Sequence, residues 1–141
     1  MDSREFVRFL KHETIDETVR IVLKRLESPR LPQPVPQSVD DVQTGISNFY
    51  NSGALEEQKQ AAWFRTLNEE QQGKFVEILQ DCAELSAFSF CTLIDGVGCD
   101  YEETFDLFAI DAKGRRTLVN PQNSDMLHDL LSEVCAEELE R

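Results

Sequence analysis

The sequence is short of nearly everything that makes a reaction legible. It has two histidines, one tryptophan, two methionines and four cysteines in 141 residues. The cysteines, Cys82, Cys91, Cys99 and Cys135, form no CxxC pair, so the usual zinc-knuckle and thioredoxin signatures are missing. The zincin, nucleophile-elbow, dinucleotide and phosphate-loop patterns are missing too. No stretch approaches the roughly 20 uncharged apolar residues that span a bilayer. The start, Met1 to Glu5, lacks the basic-then-apolar layout of a secretory leader, which predicts a cytoplasmic protein with reduced thiols. Cations are scarce: 14 Lys and Arg stand against 27 Asp and Glu, a net charge of −13. Phosphate-rich nucleic acids and anionic membranes repel such a chain, so neither is expected as a partner.

What is present is a globular composition, 40% apolar and 29% charged, at the length of one domain. The expectation is a single domain over 1–141, with Pro29 to Pro36 forming an extended connector over 29–37. Ser3 is a plausible cap for a helix carrying Phe6, Val7, Phe9 and Leu10. Thr14 and Glu17 read as a capping box for a second helix with Ile15, Val19, Val22, Leu23 and Leu26. Beyond the connector, Val42, Ile46, Phe49 and Tyr50 make one apolar face, Asn51-Ser52-Gly53 reads as a break, and Leu55 to Leu67 as a further helix. Asn68 caps the next.

The segment 69–94 reads as the centre of the fold. Phe75, Val76, Leu79, Cys82 and Ala83 repeat at helical spacing, and Leu85 to Ile94 carries no charge on any side. A helix apolar all round is one surrounded by protein. Cys82 and Cys91 are accordingly expected in the core. Asp95-Gly96 ends this helix. Phe105, Leu107, Phe108 and Ile110, then a turn at Asp111 to Gly114 and a return over Arg116 to Val119, predict a β-hairpin at about 103–119. Ser124 opens a C-terminal helix with Leu127, Leu130, Leu131, Val134 and Leu139 on one side. The fold class is therefore α+β and mainly helical: five or six helices around a central buried helix, one hairpin and a C-terminal helix.

The acidity is uneven. Residues 1–31 hold seven basic and six acidic side chains; residues 32–141 hold seven basic and 21 acidic. Asp125, Asp129, Glu133 and Glu137 recur every four residues, on one face of the last helix, although like charges at that spacing destabilise it. Asp95, Asp100, Glu102 and Glu103 form a second cluster around the glycine loop. A solvated face and pairing with Arg20, Lys24 and Arg25 are two plain explanations. A third is a docking surface for a basic partner, and these eight acids are its candidate contacts.

No catalytic residue, metal ligand or cofactor site is expected. The loop from Asp95 superficially suggests a calcium site, but Val97 and Cys99 stand at the third and fifth positions, where oxygen ligands belong. Cys99 and His128 are the residues an enzyme would have to use. The carboxylates around Cys99 disfavour its thiolate.

An acidic chain with a central apolar helix and a late hairpin resembles small bacterial immunity proteins. Phe88 to Gly96 followed by Glu102 to Val119 is also similar to an uncharacterised bacterial domain type. The resemblance implies a non-catalytic protein that occludes a basic toxin, such as a nuclease or nucleotide-using enzyme, with specificity set by shape and charge. The alternative is a homo-oligomer, for example a homodimer through the hairpin edge or through Phe49, Tyr50 and Trp63.

Overall fold

Asp2, not Ser3, caps the first helix, α1 (Ser3–Leu10). Its carboxylate accepts from the Glu5 amide while Glu5 accepts from the Asp2 amide, both at 2.8 Å. Ser3 serves a distant segment instead, donating to the Val119 carbonyl at 2.5 Å. The computed structural model describes residues 1–33, 41–97, 105–122 and 124–139, and only the backbone at 41–49, 138 and 139. Of the expected connector, residues 34–37 lie outside the described residues.

The capping box at Thr14 does not form, because the helix does not stop there. A π-helical turn (Lys11–Asp16) joins α1 directly to α2 (Glu17–Glu27). In a regular helix Thr14 follows Leu10 by one turn. The wider π turn puts Ile15 there, and Ile15 is fully buried while Thr14 is exposed. The same turn buries Lys11, whose ammonium donates to both carboxylate oxygens of Asp16 at 3.0 and 3.1 Å.

Asn51-Ser52-Gly53 likewise does not break the chain: α3 runs unbroken over Asp41–Phe64. Asn68 does cap α4 (Glu69–Ile94), accepting from the Gln71 amide at 2.9 Å. Two three-residue strands follow, β1 (Phe108–Ile110) and β2 (Arg116–Leu118), antiparallel with Ala109 opposite Thr117. They are shorter than the expected 103–119 hairpin, and residues 101–104 lie outside the described residues. The last helix is α5 (Leu127–Leu139). The described residues thus hold four uninterrupted helical runs, not five or six. The architecture is mainly helical with one small hairpin and a C-terminal helix.

The described chain divides into two compact units, residues 1–18 with 78–141, and residues 19–77. In the first, the core gathers Val7, Leu10 and Ile15, Ala87 and Cys91, Val119, and Leu127, Leu130, Leu131 and Val134. Four of these ten come from α5, which is the most deeply packed helix of this unit. The expected central helix is therefore a correction: α4 buries only Ala87 and Cys91 in this core and packs the partly covered Ala83, Phe88 and Ile94 against it. Leu85 is 64% exposed, and Phe90 and Leu93 are also exposed. Ser86, Ser89 and Thr92 satisfy their hydroxyls on carbonyls one turn back, so an uncharged face can still lie in water. Cys91 is buried as expected and Cys82 is exposed.

In the second unit Val19, Leu26, Ala54 and Ala61 are buried, and Trp63 and Phe64 both meet Phe75 edge-on, at 5.6 and 5.5 Å. Glu57 is buried as well. It accepts from Arg30 Nε and Nη2, at 2.9 and 2.5 Å, and from the Arg30 amide at 3.2 Å. These bonds hold its carboxyl below the usual carboxylate range, the Arg30 side chain contributing most.

Candidate functional site

α4 ends in a Schellman turn. Gly96, at φ 70°, lets its amide reach the Leu93 carbonyl and the Val97 amide reach that of Thr92. This reversal places Asp95 under the start of α5. There its Oδ2 accepts from the His128 amide at 3.0 Å and from Nδ1–H of His128 at 2.8 Å. The Asp95 side chain is 5% exposed. It caps α5 from a remote segment, supplying the acceptor that a helix start demands. Ser124, expected in that role, instead donates to the Pro121 carbonyl at 2.8 Å. Asp95 is therefore a structural anchor and not an exposed docking acid. A carboxylate so near a glycine reads from sequence as surface; only the approach of α5 buries it.

His128 stacks edge-on against Phe88, with ring centroids 5.5 Å apart, and its Nε2 lies 3.5 Å from Asp129 Oδ1. Both ring nitrogens thus face carboxylates. The nearby Ser132 hydroxyl donates to the His128 carbonyl, not to the ring. The imidazole is engaged in holding helices together. Cys91 is fully buried, and burial, reinforced by the charge of Asp95, pushes its thiol up to about 12, far from a neutral-pH nucleophile. Cys99 lies outside the described residues. Among the described residues no group of three or more His, Cys, Asp and Glu side chains is arranged to hold a metal ion.

A second device absent from the sequence reading is Asn120. Its carbonyl accepts from the Leu107 amide at 2.7 Å, and its amide donates to the Phe105 and Ile94 carbonyls at 2.7 and 3.4 Å. One side chain thereby ties the base of the hairpin to the end of α4. At the tip, Asp111 accepts from the Lys113 and Arg115 amides and from Arg115 Nε. The bonds from Arg115 hold its carboxyl below the usual range.

The remaining predicted acids fall into four groups. Asp129 is 68% exposed. Glu133 and Glu137 are exposed too, but both are engaged by Arg4 of α1: Nη2 reaches Glu133, and Nη1 lies 3.2 Å from Glu137. Internal pairing of these two acids therefore occurs, and it runs through Arg4 of the first helix. Asp125 is exposed in a recess beside Asn120 and Met126. Asp100, Glu102 and Glu103 lie outside the described residues.

Beside this ridge, α4 and α5 leave a groove of about 330 Å³. Phe88, Leu131 and Cys135 make its apolar lining, exposed Leu85 forms a lip, and Asp81, Glu84 and Ser132 complete it. Its charged groups are both acids. Glu84 accepts from Gln80 at 2.9 Å, a neutral partner that leaves the charge in place. Sequence reading missed the groove because it rests on Leu85 being left exposed and Phe88 only half covered.

No helix of the described residues is long and apolar enough to cross a membrane. Compared with known proteins, the chain matches no family model, no curated protein and no solved structure.

Proposed function

We propose that this chain is a non-catalytic protein-binding module, an inhibitor of the immunity type that occludes a basic partner with an acidic surface. The observation that carries the reading is the exposed ridge of α5. Among the described residues, Glu133 and Glu137 share the cation of Arg4 and Asp129 faces the His128 ring, so the ridge keeps an anionic surplus after its internal pairing. Such a surplus attracts a cationic protein before contact and speeds its docking. A toxin that binds nucleic acid or nucleotides presents a basic cleft, where carboxylates can stand in the place of phosphates. A toxin of that class acting in the cytoplasm is the favoured partner.

The test is a salt-resolved capture with the tagged chain from its source cells, run beside Asp129→Lys/Glu133→Lys. One basic protein retained in equal amount at low salt, released at high salt and lost from the variant supports the reading. Equal retention by the variant removes the ridge from it.

A second reading has its own observation. Phe105, Phe108 and Ile110 are exposed on or beside a two-stranded sheet, and Ile110 is 66% exposed. Such an edge can pair with a second copy, giving a homo-oligomer. A solution mass of 16.2 kDa, that of one chain, removes this reading.

A further inference from the structure

We infer that the α4–α5 groove receives an apolar anchor from an amphipathic helical segment with basic flanks, carried by the protein partner. The inference deepens the binding-module reading and rests on it. The groove has the two properties such a segment needs. Its floor, Phe88 and Leu131, is apolar, and Leu85 at the lip leaves 64% of its surface in water. The volume of about 330 Å³ suits one or two large side chains. An amphipathic helix laid in a groove uses anchors of this kind, one turn apart.

Charge selects among the occupants. The two ionised groups in the lining, Asp81 and Glu84, are acids without a cationic partner among the described residues. Asp129 and Glu133 stand on the neighbouring turns of α5. An anionic lipid headgroup or an acidic segment meets repulsion there, whereas Lys or Arg flanking the anchor meets attraction. The floor then supplies affinity and the rim orientation, the usual division between an interface core and its edge.

Three peptides of about 18 residues, five helical turns, probe this with the full chain at low salt. One is an amphipathic Leu/Lys helix, the second replaces Lys by Glu, and the third keeps Lys but replaces Leu by Ser. Binding is followed by NMR at Leu85, Phe88 and Leu131. The Leu/Lys peptide is expected to shift these signals, with the other two at least tenfold weaker. Leu85→Glu adds a charge at the lip, and Ser132→Trp plugs the groove from an exposed position. Each is expected to weaken the Leu/Lys peptide at least tenfold with the fold intact by circular dichroism.

Shifts confined to Asp129, Glu133 and Glu137, with both variants binding as the parent does, overturn the groove while leaving the acidic ridge as a docking surface. Equal binding of the Leu/Glu or Ser/Lys peptide overturns it as well. Groove signals that move with protein concentration alone, as the solution mass doubles, assign the groove to a second copy and overturn it. No binding of the Leu/Lys peptide also overturns it, and the salt-released capture then decides the broader reading independently.

Discussion

Asp95 shows how far a residue's role departs from its local sequence. In a row with Gly96 and Gly98 it reads as a loop acid, yet it is nearly buried and caps α5 across 33 positions of chain. Asp95→Ala removes the acceptor for the His128 amide and ring. A lost cap costs about 1–2 kcal/mol, visible as a lower urea midpoint at unchanged slope. Cys91 makes the opposite point. Its place on an uncharged helix makes burial legible, and burial pushes its thiol up to about 12. In native protein at neutral pH, iodoacetamide is expected to modify the exposed Cys82 readily and Cys91 only after denaturant is added. Equal labelling of both in the native state contradicts that packing.

At the scale of elements, two breaks expected from sequence are absent because tertiary neighbours reward continuity. Gly53 lies in α3 on the side that carries buried Ala54, Glu57 and Ala61. A Cβ there meets only Arg30 Nη2, at 3.4 Å, an ordinary contact with the end of a flexible side chain. Gly53→Ala is therefore expected to stabilise the chain by about 0.5–1 kcal/mol, the usual helix preference, read from thermal unfolding.

The Arg30–Glu57 contact also fixes a pH dependence. Glu57 has its carboxyl held below the ordinary 4.5, so ionised Glu57 stabilises the fold at neutral pH, and that contribution is lost as acid protonates it below 4.5. Glu57→Gln is expected to melt a few degrees lower at neutral pH and to lose less on acidification than the parent. The fluorescence of Trp63, the chain's one tryptophan, reports it from within the same unit. Parallel pH curves for variant and parent contradict the assignment.

For the whole molecule, the excess of 13 negative charges governs encounter more than folding. The pairs of Arg4 with Glu133 and Glu137 join side chains that are 39–57% exposed, so water and salt screen them. Arg4→Ala is expected to cost less than about 1 kcal/mol in stability. The same change frees two carboxylates, and association with a basic partner is expected to quicken at low salt and converge with the parent at high salt in stopped-flow mixing. Asp129→Lys/Glu133→Lys is expected to slow it, by tenfold or more where steering is strong. Opposite signs for the two variants are what an electrostatic ridge requires.

The sequence by itself determined the elements whose causes are local: the stop at Gly96, the cap at Asn68, the turn from Asp111 to Gly114 and the apolar side of α5. Periodicity, capping and backbone freedom act within a few residues, so they are written in neighbours. It also determined the surplus of acid and its bias to residues 32–141. Tertiary structure decided which uncharged face is covered. Leu85 to Ile94 reads as apolar all round, but α1, α5 and the hairpin base cover one side only, and serines bonded to their own helix tolerate the other. It decided which acids are engaged within the fold, since Arg4 and the start of α5 reach Glu133, Glu137 and Asp95 over distances in sequence that no pattern encodes. The groove beside α5 belongs to the same class: it exists because packing leaves it uncovered, and that is a property of the assembled helices alone.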